Sequence, residues 1–188
     1  MFTETDINEL EMKKNKLEKR DIDLIISDFD DTIFCTREAI ESDVRKGRRG
    51  NEGNQYIVDT IGIKNFIDMF YVDKDFPTTI TSKLRENHDL ILTAGYEDIQ
   101  EEKIKSCKLN HINYRIVSNP EEKILETIKY IVEHLKFIPN KITVYEDRPK
   151  YFIDYKNFLE DFFEIDIDIM LVEMEGNNYI PKIKKIED

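Results

Sequence analysis

Short apolar segments recur along the chain, and between them lie longer segments in which apolar residues are spaced three or four positions apart. The short segments predict five strands, at about 23–28, 89–93, 114–117, 142–145 and 167–172. The longer segments predict helices at 97–109, 120–135 and 151–163. Because the predicted strands are apolar on both faces, they are typical of a parallel sheet that helices cover on both sides.

The alternation of strands and helices predicts an α/β fold, a Rossmann-like three-layer sandwich built on a five-stranded parallel sheet. A length of 188 residues fits a single domain over 1–188. Segment 34–77 interrupts the alternation, and we interpret it as a flap or small cap inserted after the first strand. The polar segment 1–20 predicts an N-terminal helix or extension, and the residues after Gly176 form a polar, basic tail.

The insertion carries local patterns of its own. Apolar residues at helical spacing over 57–71 predict a helix. Three of the six glycines fall within 47–53, so segment 46–54 predicts a loop. Segments 37–45 and 81–87 are interpreted as short helices.

The most unusual residues stand where the predicted strands end. Acidic and hydroxyl side chains follow the first, second and fourth strands: Asp28, Asp30, Asp31, Thr32, Thr93, Glu146 and Asp147. Because the carboxyl ends of parallel strands form the ligand-binding edge of such folds, we expect these side chains to meet there. Tyr96 and Gln100, which follow Thr93, are further candidates to line the site.

Asp28 and Asp30 are two positions apart, so in an extended chain their side chains point to the same face. Carboxylates packed at the end of a buried strand repel one another, and a divalent cation with oxygen ligands relieves that repulsion. The alternative is a strand that ends in an Asp-rich turn, because Asp is common in turns and at helix N-termini.

Taken in order, these residues resemble the motifs of the haloacid dehalogenase superfamily of phosphatases. That superfamily has Asp-x-Asp-x-Thr after its first strand, Ser or Thr after its second, Lys ahead of its fourth and an acidic pair after its fourth. The matching residues here are Asp28, Asp30 and Thr32, then Thr93, a lysine in segment 121–129, and finally Glu146 with Asp147. The resemblance covers residues 23 to about 172, nearly the whole chain.

The resemblance implies a Mg²⁺-dependent phosphatase in which Asp28 is the nucleophile and forms an aspartyl-phosphate. It implies that Asp30 acts as general acid and then as general base. Thr93 and the motif lysine would stabilise the phosphoryl group, and Thr32 and Gly95 are further substrate-binding candidates. Mg²⁺ would be held by Asp28, the main-chain carbonyl of Asp30, Glu146 and Asp147.

Three positions of the match carry open alternatives. Asp31 stands where the superfamily often has Gly. The motif lysine is Lys123 or Lys129, and Lys123 is favoured because the start of a helix points towards a bound phosphate. Segment 146–149 is similar to the acidic-pair-plus-Arg segment in the 3′-phosphatase domain of polynucleotide kinase/phosphatases and in Swiss Army Knife RNA repair proteins. Arg148 within it either pairs with a neighbouring acid or contacts the substrate.

The charge of the chain narrows the range of substrates. The formal net charge is −12, which argues against broad, non-specific binding to nucleic acid. Segment 45–49 is nevertheless densely basic, and we expect Arg48 and Arg49 to steer a phosphate-rich substrate; the alternative is a solvated loop. The insertion is too short for a large cap, so we expect an open site that admits a nucleic-acid end.

The function that the sequence favours is the Mg²⁺-dependent hydrolysis of a phosphomonoester, with a terminal phosphate of DNA or RNA as the preferred substrate and nucleic-acid repair as the setting. Three alternatives stay open: a phosphatase for small nucleotide or sugar phosphates, a non-catalytic binding module of the same fold, and a metal-dependent nuclease.

The sequence has two cysteines, and it shows neither an apolar leader nor a membrane-spanning segment. These features favour a soluble, cytoplasmic protein without a membrane partner.

Overall fold

The structure is a computed structural model that describes residues 4–36, 40, 47–48, 50–74, 78–174 and 181–187. Six strands form one sheet: β1 (Asp23–Ser27), β2 (Leu90–Ala94), β3 (Asn113–Val117), β4 (Lys141–Glu146), β5 (Asp166–Glu173) and β6 (Lys182–Lys185). Their order is β3-β2-β1-β4-β5-β6, with β1 to β5 parallel and β6 antiparallel to β5. This order, in which β4 returns to the other side of β1, is that of a Rossmann-like α/β sheet.

The five predicted strands are confirmed, but the predicted strand count is wrong because β6 adds a sixth, antiparallel strand. Its sequence, Lys182-Ile183-Lys184-Lys185, is too short and too polar for a strand to be predicted from it. The main chain of β6 pairs with β5, and Lys185 forms an ion pair with Asp168 at 2.6 Å. Lysines on an edge strand disfavour pairing with another chain, which accounts for a polar strand at this place.

Seven α-helices lie in the described ranges: α1 (Glu4–Lys14), α2 (Gly50–Ile61), α3 (Ile63–Phe70), α4 (Glu97–Ser106), α5 (Lys123–Lys129), α6 (Lys150–Asp154) and α7 (Lys156–Phe163). Short 3₁₀ turns at Thr81–Lys83 and Pro120–Glu122 and a π-helical segment at Tyr130–Leu135 accompany them. The first of these turns is all that the structure has of the helix predicted at 81–87. None of the helices in the described ranges has the length and apolar character that a membrane span requires.

The insertion differs from its predicted pattern at identifiable residues. The helix predicted at 57–71 is two helices, because Gly62 between α2 and α3 has φ 81° and ψ 153°, a conformation that glycine alone adopts readily. The loop predicted at 46–54 is wrong from residue 50 onward, where α2 begins. Burial of Asn54 and Ile57 in α2 outweighs the low helix propensity of the glycines.

Buried apolar residues form two clusters, one on each face of the sheet. Strand residues alternate between them: Leu24 and Ile26 of β1 join one cluster, and Ile25 packs against the other. Residues of α1, α5, α6 and α7 belong to the first cluster, on what we call the α5 face. Residues of α2, α3 and α4 belong to the second, on the α4 face. The predicted coverage of the sheet on both sides is therefore confirmed.

The described part of the insertion packs on the α4 face through aromatic rings. The ring centroids of Phe66 and Tyr71 are 5.5 Å apart, and Tyr71 stacks on Phe34 at 4.7 Å. Phe34 in turn stacks on Phe29 at 6.0 Å, within the turn that follows β1. The insertion thus packs against the turn that carries the acidic residues. Most of the helix predicted at 37–45 lies outside the described residues.

Candidate active site

The turn after β1 sets the direction of the acidic residues. The carbonyl of Phe29 accepts hydrogen bonds from the amides of Ile33 and Phe34, both at 3.0 Å, so the chain reverses directly after the strand. Asp31 within this turn has φ 56°, in the left-handed region that Gly, Asn and Asp tolerate best. Asp at a position that favours Gly is therefore compatible with the same turn.

The register of β1 and β4 brings three carboxylates together. Ser27 pairs with Tyr145, so Asp28 lies level with Glu146 at the carboxyl edge of the sheet. One oxygen each of Asp28, Glu146 and Asp147 lie within 4.8 Å of one another. Asp28 and Glu146 are buried, with 8% and 4% relative exposure. This edge, between β1 and β4, is where the strand order reverses and where such folds bind ligands.

Burial and mutual repulsion perturb these carboxylates. Burial raises the pKa of Glu146, and the charge of Asp28 raises it further, against the lowering effect of Lys123. Burial and the charge of Asp28 likewise raise the pKa of Asp147. The raised pKa values mean that burial, together with the charge of Asp28, disfavours the ionised forms of these two carboxyls. A divalent cation with oxygen ligands would offset that charge, and the three side chains offer carboxylate oxygens only.

Lys123, the first residue of α5, places its ammonium between two of the carboxylates. Its Nζ lies 3.0 Å from Asp28 Oδ1 and 2.6 Å from Glu146 Oε2, and the residue is almost fully buried. Burial opposes the charge of Lys123, but Asp28 and Glu146 outweigh burial and raise the pKa of the lysine. Lys129 lies at the other end of α5, about 9 Å along the helix axis. Of the two candidate lysines, the structure brings Lys123 to Asp28.

Asp30 has a different set of partners. Thr36 Oγ1 donates to Oδ1 at 2.5 Å, Gln100 Nε2 donates to Oδ2 at 2.9 Å, and Lys103 Nζ lies 3.0 Å from both oxygens. Burial would raise the pKa of Asp30, but the charge of Lys103 and the hydrogen bonds from Thr36 and Gln100 lower it overall. The side chain of Asp30 does not belong to the group formed by the carboxylates of Asp28, Glu146 and Asp147. Metal binding through the main-chain carbonyl of Asp30 stays a prediction.

Lys103 lies at the site although it belongs to none of the sequence motifs. It lies in α4 with a fully buried side chain, three positions after Gln100, so the two share one side of the helix. Gln100 also donates to the carbonyl of Ala94 at 3.1 Å, at the end of β2. The signal in the sequence is a lysine one helical turn after a candidate residue, and most lysines at such a spacing are ordinary surface residues.

The hydroxyl residues predicted for the site have distinct surroundings. Thr93 is buried in β2, and Gly95 beyond it donates its amide to the carbonyl of Val117 at 2.8 Å. Thr32 is fully buried, and its hydroxyl has no hydrogen-bond partner among the described residues. Its carbonyl accepts a hydrogen bond from Thr78 Oγ1 at 2.8 Å, which ties the turn to the segment after the insertion. Substrate contacts of Thr32, Thr93 and Gly95 stay predictions.

Arg148 pairs with the acidic cluster that precedes it. Its Nε lies 3.4 Å from Asp147 Oδ2, and its amide donates to Glu146 Oε1 at 3.3 Å. Pairing with a neighbouring acid, one of the two alternatives for this residue, is therefore present. The side chain is still 72% exposed, so the guanidinium is accessible from solvent.

Arg48 is the described part of the basic segment in the insertion. It is exposed, and its guanidinium lies over the ring of Tyr56 at 4.2 Å from the centroid. Such stacking holds the guanidinium at the surface of α2 while leaving its charge accessible. Arg49 and residues 45–46 of the same segment lie outside the described residues.

Comparison of the chain with protein-family models, with curated proteins and with solved structures found no match.

The chemistry of the site follows from its own groups. Asp28 is a buried carboxylate beside an ammonium, Asp30 is a second carboxylate held by donors, and the neighbouring acids can hold a hard cation. The ammonium and a bound cation would offset negative charge, so this set of groups suits a reaction at a negatively charged centre such as a phosphoryl group.

Proposed function

We propose that this protein is a Mg²⁺-dependent phosphomonoester hydrolase of the haloacid dehalogenase type. The observation that carries the proposal is the grouping of Asp28, Glu146 and Asp147 within 4.8 Å, with Lys123 Nζ 3.0 Å from Asp28. Asp30 follows Asp28 at the spacing of the Asp-x-Asp motif. A plain Asp-rich turn would not explain why the acids at and directly after the end of β4 and a lysine from α5 meet at the same place.

Asp28 is the proposed nucleophile of the first step. Its carboxylate oxygen attacks phosphorus, the bond between phosphorus and the ester oxygen breaks, and that oxygen takes a proton from Asp30. A phosphate dianion bound beside Asp30 raises the pKa of that carboxyl, so substrate binding favours the protonated form that this transfer needs. Lys123 offsets the negative charge of Asp28 and of the phosphoryl oxygens in the transition state.

Water completes the reaction in the second step. Asp30, now a carboxylate, takes a proton from water, and the water oxygen attacks the phosphorus of the aspartyl-phosphate. The bond to the Asp28 oxygen breaks, which releases inorganic phosphate and restores the carboxylate. Thr93 is the proposed donor to a phosphoryl oxygen in both steps. One ester and one water thereby give one alcohol and one phosphate.

A divalent cation fits the acidic cluster. Asp28, Glu146 and Asp147, with the carbonyl of Asp30, would hold Mg²⁺, which when bound neutralises charge on the nucleophile and the phosphate. The repulsion by Asp28, which adds to the effect of burial in raising the pKa of Glu146 and of Asp147, supports the fit, because crowded carboxylates take up either protons or a cation. A donor set of oxygens suits Mg²⁺ or another hard cation better than a soft metal.

We propose a phosphorylated end of DNA or RNA as the substrate, with a small nucleotide or sugar phosphate as the alternative. Arg48 supports the first, because its exposed guanidinium presents positive charge on a chain with a formal net charge of −12. A local cation on an acidic protein attracts phosphate-rich ligands without promoting general binding to nucleic acid. We propose the repair of nucleic-acid ends as the setting for this substrate, and a cytoplasmic location stays a prediction.

Phosphate release with and without Mg²⁺ tests the proposal. Wild type, Asp28→Asn and the control Asp161→Asn, an exposed position in α7, are compared on an aryl phosphate, a 3′-mononucleotide and a 3′-phosphorylated oligonucleotide. We expect release that requires both Mg²⁺ and Asp28 and is unchanged in the control.

Each pattern of rates selects one function. Preference for the oligonucleotide supports a nucleic-acid end, whereas equal rates on the mononucleotide support a small-molecule phosphatase. Cleavage within the strand indicates a nuclease. Absence of phosphate release from all three substrates contradicts the proposal that the protein is a phosphatase and favours a binding module.

A further inference from the structure

A second buried lysine lies next to the Asp-x-Asp motif. Lys103 comes from α4 on one face of the sheet, whereas Lys123 comes from α5 on the other. Lys103 Nζ lies 3.0 Å from both oxygens of Asp30, and Lys123 Nζ lies 3.0 Å from Asp28. Each aspartate of the motif therefore has its own ammonium. The two reaction steps above use Lys123 and leave Lys103 unexplained.

Lys103 is enclosed by protein. Its side chain has no exposed surface, and its Nζ lies 5.4 Å from the ring centroid of Tyr71, which the insertion supplies. A buried ammonium is costly unless it is paired, and the structure pairs it with Asp30. A movement of the Asp30 carboxylate would leave this charge uncompensated. Burial of Lys103 therefore opposes any displacement of Asp30.

Hydrogen bonds around Asp30 also fix the plane of its carboxylate. Lys103 contacts both oxygens, Thr36 Oγ1 donates to Oδ1 at 2.5 Å, and Gln100 Nε2 donates to Oδ2 at 2.9 Å. Gln100 is itself held by the carbonyl of Ala94 at 3.1 Å. Because donors occupy both oxygens, the carboxylate cannot rotate without losing a hydrogen bond. The Asp30 side chain is still 25% exposed, so a substrate atom can reach it.

We propose that Lys103 is a positioning residue that holds the Asp30 carboxylate in the orientation for proton exchange with the leaving-group oxygen. The inference rests on the proposed function, in which Asp30 gives and then takes the proton. Proton transfer by a positioned side chain accelerates a reaction by about 10²–10⁴-fold, provided that the acid is within hydrogen-bond reach. The gain is large for alkyl leaving groups, which leave poorly as anions, and small for aryl leaving groups.

Replacement of Lys103 by Met separates positioning from a general structural role. Met keeps the length and the apolar stem but removes the ammonium. We expect Lys103→Met to lower kcat/KM, which reports the first step, by about a hundredfold for an alkyl phosphate and far less for 4-nitrophenyl phosphate. Lys103→Arg keeps a charge and should restore part of the rate with the alkyl ester. Lys105→Met, on the exposed side of α4, is the matched control and should change neither value.

Two results would overturn the inference. Equal losses on the two esters in a folded Lys103→Met variant point to a packing or general electrostatic role, because such a role acts on both substrates alike. An unchanged kcat/KM on both esters shows that Asp30 exchanges its proton without positioning by Lys103. Where Lys103→Met does not fold, Thr36→Val removes only the hydroxyl that donates to Asp30 Oδ1, and a smaller loss with the same selectivity is expected. An unselective loss in Thr36→Val counts against the inference.

A stability cycle tests the pair independently of activity. Lys103→Met, Asp30→Asn and the double variant are unfolded with urea, and the midpoint shift of the double variant should be smaller than the sum of the single shifts. Additive shifts with an active wild type contradict this inference alone. A wild type that releases no phosphate while the shifts are coupled contradicts the proposed function, and the pair then has no role in proton transfer.

Discussion

Lys123 and Asp28 form a buried ion pair, with 3.0 Å between Nζ and Oδ1, although they belong to different layers of the fold. The pair forms because α5 leads from β3 to β4, and β4 lies beside β1. The first residue of that helix is thus brought to the edge at which Asp28 follows β1 and Glu146 ends β4. The strand order therefore places the start of α5 at the acidic edge, and Lys123 at that position supplies the positive charge.

Lys123→Met removes this ammonium and leaves the carboxylates of Asp28 and Glu146 without it. We expect the Mg²⁺-dependent hydrolysis of 4-nitrophenyl phosphate to fall about a hundredfold or more, as is typical for loss of one preorganised group that stabilises developing charge. Lys129→Met, at the other end of α5, is the control and should retain the rate. Initial rates of the two variants decide the assignment, since a larger loss in Lys129→Met transfers the role to that lysine.

The parts of the fold that could be predicted are those whose pattern of apolar residues is visible within a short segment of the sequence. The five parallel strands stand out as short apolar segments of the sequence, and the three central ones, β2, β1 and β4, are the most completely buried. β6 does not, because its one apolar residue, Ile183, is only partly buried, and main-chain pairing and an ion pair between Lys185 and Asp168 also hold the strand. The break at Gly62 also escapes prediction, since a single glycine within a helical pattern is compatible with an unbroken helix.

The site could be predicted where chemistry follows strand order. Asp28, Glu146 and Asp147 were expected together because they follow parallel strands at the same edge of a sheet, and the structure, in which β1 and β4 are neighbours, groups them. Lys103 could not be predicted, because the residues it contacts, Asp30 and Tyr71, lie 73 and 32 positions earlier in the chain, in other elements of the fold. An ion pair between side chains of two different layers leaves no local signal in the sequence, whereas a group of acidic residues directly after an apolar segment does.

Replacement of both Arg48 and Arg49 by Ala tests the basic segment of the insertion. We expect KM for a 3′-phosphorylated oligonucleotide to rise several-fold and KM for an aryl phosphate to stay unchanged, because contacts away from the reacting phosphate act only on a longer ligand. The increase should shrink at high salt. Arg20→Ala is a matched control, since Arg20 lies over Phe137 as Arg48 lies over Tyr56. Equal changes of KM for both substrates contradict the prediction.

Gly62→Ala tests the junction between α2 and α3. A Cβ at this position meets nothing within 4 Å, so any loss of stability comes from the backbone, at φ 81° and ψ 153°. We expect the free energy of unfolding to fall by about 1–3 kcal/mol, the usual cost of forcing a side chain into this region. Urea denaturation measures the change, with Lys64→Ala on the exposed surface of α3 as control. A neutral effect would mean that the junction relaxes into a helical conformation.

Mg²⁺ should stabilise the protein, and more strongly as the pH rises. Because the pKa of Glu146 and of Asp147 is raised, the folded protein keeps protons that the unfolded chain releases, and without metal this contribution to stability falls as pH increases from about 4. A cation on the deprotonated carboxylates reverses the fall. We expect the Mg²⁺-induced rise in Tm to be larger near about pH 8 than near about pH 5, and to be much reduced in Asp147→Asn but not in Asp161→Asn. An equal rise at both pH values would mean that Mg²⁺ binds elsewhere.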